Sequence, residues 1–129
     1  MSESSSSPQR IWVVDDDRAV RFVLCTALRE AGYQVVDFDS AAPALQALSE
    51  GPPPALLFTD VVMPGGMNGV QLAAAASKIL PTLKVLYTSG FPASAFDGIG
   101  VDCWQPLALL SKPYRSSALY DAINRLVNT

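Results

Sequence analysis

Short apolar runs alternate along the chain with segments whose apolar residues recur at helical spacing. The apolar runs predict five strands, at residues 11–14, 34–38, 56–60, 83–88 and 107–110. Helical spacing predicts helices at residues 19–31, 41–48, 68–80 and 116–127. The remaining connection, 91–106, holds two prolines and two glycines, so we expect at most a short or irregular helix there. Strands that alternate with helices in this way predict an α/β domain with a parallel sheet covered on both faces.

The run that ends in Asp60 is the most informative of the five. It is apolar up to Thr59 and breaks at Pro64, which is typical of a short strand buried on both faces. A carboxylate at its end has two interpretations. It either caps the following turn, or it is a nucleophile at the edge where open α/β sheets bind ligands.

Composition limits the function classes. With 129 residues, half of them hydrophobic, the chain fits one domain, which we expect at 10–129 after a disordered tail at 1–9. A net charge of -3 and a pI near 4.7 argue against nucleic-acid or anionic-membrane binding. The start lacks the pattern of a secretory signal, and no apolar run is long enough to cross a bilayer, so we expect a cytoplasmic protein. Cys25 and Cys103 lack metal-ligand spacing and are expected to be free thiols.

The chain contains no histidine. This excludes Ser/His/Asp and Cys/His catalytic sets and imidazole metal ligands. If phosphoryl chemistry occurs here, a histidine donor must come from another molecule.

Polar residues follow the central strands where each strand ends. Because the carboxyl ends of parallel strands share one edge, we expect these residues to converge: Asp15, Asp16, Asp60, Thr88 and Lys112. Three carboxylates placed together repel one another unless a cation neutralises them, and Mg²⁺ prefers such oxygen ligands. Lys112 would add a positive charge opposite the metal, and Thr88 a hydroxyl able to bond a phosphoryl oxygen.

Four motifs follow one another along the chain, each at the end of a predicted strand: Val13-Val14-Asp15-Asp16-Asp17, Asp60-Val61-Val62-Met63-Pro64 with Gly69 after it, Tyr87-Thr88-Ser89-Gly90 and Lys112-Pro113-Tyr114. In this order they resemble the receiver domain of two-component response regulators. The resemblance covers roughly residues 10–127. It implies a flavodoxin-like, doubly wound sheet with strand order 2-1-3-4-5.

The resemblance also implies a function. Asp60 would accept a phosphoryl group from a histidine of a partner kinase or phosphotransfer protein, and a conformational change would signal to an output protein. Asp16, Asp60 and the backbone carbonyl of Val62 would bind Mg²⁺, with Asp15 acting largely through water. Lys112 and Thr88 would contact the phosphoryl group.

Three features depart from the family pattern. Leu109 stands three positions before Lys112, where many receivers carry Tyr or Phe, so the usual aromatic switch is missing. In receivers the fourth helix is part of a common output and dimerisation face. Because the 91–106 connection is irregular, the sequence does not support that dimer mode here. The loop after Asp60 contains an extra glycine, Gly65-Gly66, and this pattern resembles that of receivers attached to or paired with sensor kinases. The chain therefore resembles either a single-domain regulator or a receiver of a hybrid sensor kinase.

Two alternatives stay open at this point. An aspartate-nucleophile phosphatase needs a general acid two residues after the nucleophile, and that position is Val62, which has none. A degenerate receiver would bind a partner without phosphorylation, for which Leu109 is the only support. As a receiver the chain would not be an enzyme beyond catalysing its own phosphorylation and dephosphorylation.

Overall fold

The computed structural model of the chain describes residues 9–61, 67–89, 109–111 and 115–127, without the side chains of 89 and 109–111. Its elements are β1 (Arg10–Val14), α1 (Arg18–Glu30), β2 (Gln34–Phe38), α2 (Ala41–Leu48), β3 (Leu56–Asp60), α3 (Gly69–Ile79), β4 (Lys84–Ser89), β5 (Leu109–Ser111) and α4 (Ser116–Val127). Residues 1–8 of the tail predicted at 1–9 and the predicted irregular connection at 91–106 lie outside the described residues.

The strands form a parallel sheet with the order β2-β1-β3-β4-β5, which confirms the predicted topology. The strand β1 pairs with both β2 and β3, and β3 also pairs with β4. The strand β5 pairs with β4, and its described residues 109–110 fall within the strand predicted at 107–110. The two central strands, β1 and β3, therefore end side by side at one edge of the sheet.

Successive side chains of each strand point to opposite faces of the sheet and form two separate hydrophobic cores, one on each face. On one face Ile11 and Val13 of β1 pack with residues of α1 and α4, including Leu28 and Ile123. On the other face the neighbouring residues of β1 pack against α2 and α3, in a cluster of Trp12, Val14, Ala41, Ala44, Leu57, Leu72 and Ala76. Helices thus cover both faces, and the predicted doubly wound arrangement is confirmed. Every residue of β3 is buried, as expected for a central strand.

Trp12 is a packing residue on the face of the sheet covered by α2 and α3. Its side chain is 4% exposed, and its ring centroid lies 5.0 Å from that of Phe38. Its indole nitrogen has no hydrogen-bond partner within the described part of the chain. The ring therefore contributes through its buried apolar area and its aromatic contact.

Some apolar residues within the predicted helical patterns are exposed. In α1 the sheet covers Leu24, Cys25 and Leu28, whereas Phe22 is 73% and Val23 64% exposed. In α3 the side chain of Ile79 is 52% exposed. A helix presents only one face to the sheet, so a sequence with more apolar residues than that face holds leaves some in solvent.

The helix starts beside the sheet edge have well-formed caps. The Asp17 carboxylate accepts a hydrogen bond from the Val20 N–H at 3.1 Å and caps the start of α1. Asn68 and Gln71 form a capping box that begins α3. Ser40 directly precedes α2, which lies next to β2, and its side chain makes no capping hydrogen bond.

Cys25 is a free, buried cysteine in α1, as predicted. Burial raises the pKa of its thiol, and the nearby Asp37 carboxylate raises it further. The thiol is therefore protonated at neutral pH and a poor nucleophile. Among the helices of the described ranges, none combines the length and the apolar character needed to span a membrane.

The helix α3 carries one buried and one exposed aliphatic side chain, which allows a matched test of burial. Leu72 is fully buried, and we expect Leu72→Ala to lower the free energy of unfolding by about 2–5 kcal/mol through lost burial and a residual cavity. Ile79→Ala, on the same helix, should change it by about 0.5 kcal/mol or less because this side chain is half in solvent. Urea denaturation measures both, and equal losses would contradict the packing described above.

Candidate functional site: an acidic cluster at the sheet edge

The turn after β1 places two carboxylates at the sheet edge. Asp15 is 1% exposed and Asp16 is exposed. The Asp15 N–H donates to the Phe38 carbonyl at 3.2 Å, which continues the pairing of β1 with β2 by one residue. The Asp15 Oδ1 accepts a hydrogen bond from the Asp17 N–H at 2.8 Å. The turn is thus tied to its neighbouring strand and to the start of α1.

Asp60 is the last residue of β3 and is 8% exposed. It pairs in register with Thr88 of β4, and the Val61 N–H donates to the Thr88 carbonyl at 3.0 Å. Because β1 and β3 are neighbours, this carboxylate lies beside those that follow β1. The predicted convergence of the strand ends is therefore present for three aspartates and Thr88.

The carboxylates of Asp15, Asp16 and Asp60 each offer one oxygen, and these oxygens lie within 4.8 Å of one another. At such separations ionised carboxylates repel each other strongly, more so where two of them are buried. A bound cation removes this repulsion. The three carboxylates can hold a metal ion, and the all-oxygen donor set suits a hard ion such as Mg²⁺.

Thr88 adds a neutral polar group beside the carboxylates. Its side chain is 1% exposed, and its hydroxyl has no hydrogen-bond partner among the described residues. A buried hydroxyl without a partner is unfavourable by about 1–3 kcal/mol. This hydroxyl is therefore available to donate to an oxygen that arrives next to Asp60.

Two neighbours fix the main chain of Asp60. The Thr59 hydroxyl is buried and donates to the Asp60 carbonyl at 3.0 Å. Gly69, the first residue of α3, lies so close that an added Cβ would overlap the same carbonyl oxygen and lie 2.9 Å from its carbon. The Gly69 N–H donates to the Val61 carbonyl at 2.8 Å. Only a residue without a side chain allows α3 to begin at this distance from β3.

Arg21 connects α1 to the acidic turn. Its Nη1 donates to the main-chain carbonyl of Asp15 at 2.8 Å, and its Nε donates to the Asp37 carboxylate at 2.7 Å. Its side chain is 16% exposed. The guanidinium thus bridges the turn after β1 and the edge strand β2.

The sequence prediction of the site can be compared residue by residue with this arrangement. Asp15, Asp16, Asp60 and Thr88 come together as expected. Lys112 and Val62 lie outside the described residues, so their predicted roles stay predictions. Sequence reasoning missed Thr59 and Arg21. A hydroxyl directly before Asp60 was a visible signal, whereas the contact of Arg21 with Asp15 depends on how α1 folds back.

Comparison with known proteins identifies a family. Residues 11–124 match the family described as response regulator receiver domain. The response regulator receiver protein CpdR of Brucella abortus (strain 2308) is 39% identical over 119 residues, which cover 92% of this chain and 97% of CpdR. The NtrC transcriptional regulators also match, but this chain spans only 16% to 25% of their length.

Solved structures agree in fold. A response regulator receiver protein from Sinorhizobium medicae WSM419 superposes with a TM-score of 0.83 at 28% identity, covering 97% of this chain and 98% of that one. The receiver domain of the hybrid histidine kinase CckA superposes with a TM-score of 0.74 at 28% identity, covering 92% and 98%. The chain is thus similar both to receiver proteins and to a receiver attached to a kinase.

The close approach of Gly69 to β3 predicts a specific effect of a single methyl group. Gly69→Ala must push α3 away from Asp60, and we expect it to lower the free energy of unfolding by about 1–3 kcal/mol and to displace the Asp60 carboxylate. Gly51→Ala is the matched control, because a Cβ there meets nothing within 4 Å. Urea denaturation and amide NMR shifts of 59–61 measure the two effects. A Gly69→Ala protein with wild-type stability and shifts would contradict this geometry.

Proposed function

The chain belongs to the response regulator receiver family, and from this premise we propose that Asp60 is the residue on which it carries a phosphoryl group. The single observation that supports this role most directly is the position of Asp60. It is a largely buried carboxylate at the end of the central strand β3, with oxygens of two further aspartates within 4.8 Å. A turn-capping aspartate does not need such neighbours.

The residues of the site account for the chemistry in simple terms. A carboxylate oxygen of Asp60 attacks the phosphorus of a phosphohistidine, the P–O bond forms as the P–N bond breaks, and the leaving imidazole nitrogen keeps the electron pair and takes a proton from solvent. Such a transfer depends on positioning and charge neutralisation more than on acid–base groups. Histidine is therefore not required on this chain.

We assign the metal-binding role to Asp15, Asp16 and Asp60, with the backbone carbonyl of Val62 as a further ligand. When bound, Mg²⁺ would neutralise charge on the carboxylates and on the incoming phosphoryl oxygens. The Thr88 hydroxyl, buried beside Asp60, would donate to a phosphoryl oxygen. Lys112 would supply a positive charge to the same group.

The phosphoryl donor belongs to a second protein, because this chain has no histidine. A histidine kinase or a histidine phosphotransfer protein is the proposed partner, and an output protein receives the signal. The chain would catalyse only its own phosphorylation and dephosphorylation. We place it in the cytoplasm, where the buried free thiol of Cys25 would stay reduced.

The surface of α1 is the proposed docking face for the donor. The helix begins at Asp17, directly after the acidic turn, and Phe22 and Val23 stand exposed within its first two turns. A groove of about 360 Å³ runs between α1 and α4, lined by Ala19, Val20, Val23, Leu24, Ala27, Ser116 and Leu119. An exposed apolar face on the helix that begins directly after the acidic turn would bind a donor and bring its histidine to the Asp60 carboxylate.

Asp60→Asn tests the central assignment. An amide is a poor nucleophile and lacks the negative charge, so we expect labelling by acetyl phosphate in the presence of Mg²⁺ to fall to background. Intact-mass spectrometry counts the phosphorylated fraction. Asp39→Asn, which changes an exposed aspartate after β2, should label like the wild type. Undiminished labelling of Asp60→Asn would refute the assignment.

Phe22→Ser tests the docking face separately from the chemistry. Loss of a buried aromatic contact at an interface commonly costs more than about 1.4 kcal/mol, so transfer from a phosphorylated phosphotransfer protein should slow by about 10-fold. Labelling by acetyl phosphate should not change, because the Phe22 side chain is exposed to solvent and is not one of the residues of the proposed site. Ile79→Ser, on the opposite face of the sheet, is the control and should leave both rates unchanged. Equal transfer rates for Phe22→Ser and wild type would exclude this face.

A further inference from the structure

We propose that Arg21 is a positioning residue that holds the turn after β1 in the geometry that binds a divalent cation. The inference rests on the proposed metal-binding role of Asp15, Asp16 and Asp60. Its basis is the pair of hydrogen bonds from one guanidinium, to the Asp15 carbonyl at 2.8 Å and to the Asp37 carboxylate at 2.7 Å.

The bond to the Asp15 carbonyl acts on both aspartates of the turn. The peptide group that joins Asp15 to Asp16 is planar, so fixing its carbonyl oxygen fixes the orientation of the whole group. The directions in which the two side chains leave the main chain depend on that plane. Arg21 thereby constrains two of the three carboxylates without contacting a carboxylate of the cluster.

The bond from Arg21 differs from two other hydrogen bonds of the turn in the group that it holds. The Asp15 N–H donates to the Phe38 carbonyl, and the Asp15 Oδ1 accepts from the Asp17 N–H. The Arg21 guanidinium instead donates to the carbonyl of the peptide group that leads to Asp16.

The charge of Arg21 distinguishes positioning from a simple electrostatic effect. A positive charge near the carboxylates would by itself oppose the binding of a cation. The ion pair with Asp37 offsets much of this charge, and Asp37 lies on β2, outside the acidic cluster. The planar fork of the guanidinium makes both bonds at once, which the single ammonium of lysine does not reproduce.

The two roles predict opposite outcomes for Arg21→Gln. If Arg21 acts by positioning, Mg²⁺ binding measured by isothermal titration calorimetry weakens, by roughly 10-fold as is typical when a residue that orients metal ligands is lost. If only its charge matters, removing that charge makes Mg²⁺ bind more tightly. Unchanged or tighter binding by Arg21→Gln would overturn the proposal.

Two further variants complete the test. Arg21→Lys keeps the charge but loses the fork, so positioning predicts weakened Mg²⁺ binding here as well, and wild-type affinity would contradict it. Arg18→Gln removes an equal charge from the exposed first residue of α1 and should not weaken binding. A loss equal to that of Arg21→Gln would show that the effect does not depend on the two hydrogen bonds of Arg21 and would overturn the proposal.

The wild-type titration separates this inference from the proposed function. Absence of Mg²⁺ binding by the wild type would refute the metal site itself. Binding by the wild type with an unchanged affinity in Arg21→Gln would refute only the role of Arg21. Urea denaturation of each variant identifies the folded ones, and Arg21→Lys decides the question if Arg21→Gln does not fold.

Discussion

Repulsion among three carboxylates is the constraint that the sheet edge must meet. Oxygens of Asp15, Asp16 and Asp60 lie within 4.8 Å of one another, and two of these side chains are almost fully buried. In isolation this arrangement would open, because like charges in a poorly solvated place raise the free energy. It persists because the carboxylates are attached to β1 and β3, whose pairing and burial on both faces of the sheet hold the two strand ends together.

The core places the strands, but short-range contacts set the orientation of the site. Gly69 allows α3 to begin against the Asp60 carbonyl, and the Thr59 hydroxyl donates to the same oxygen. Arg21 does the corresponding work for the Asp15 carbonyl. In each case the contact is made to a main-chain oxygen and fixes the backbone from which a carboxylate of the cluster extends.

Much of this could be predicted because it depends on local pattern and on a general rule. Apolar runs and helical spacing predicted the order of the elements. Because the carboxyl ends of parallel strands share one edge, the sequence also predicted that Asp60 lies close to Asp15. The exposure of Phe22 could not be predicted, since periodicity shows which residues could be buried and not which ones a neighbour covers. The bond between Arg21 and Asp37 spans 16 residues and requires the packing of α1 on β2.

The same arrangement explains why a phosphoryl group added at Asp60 would act first on the hydroxyl of Thr88. A phosphoryl group brings close to two negative charges and strong acceptor oxygens into a site that already contains three carboxylates. The main chain around Asp60 is fixed by Gly69 and Thr59, so it is a poor place for movement. The Thr88 hydroxyl is buried on the adjacent strand and has no hydrogen bond to lose within the described residues. Its rotation toward a phosphoryl oxygen would give a buried polar group a partner without breaking a hydrogen bond among the described residues, so the free-energy cost of this response would be low.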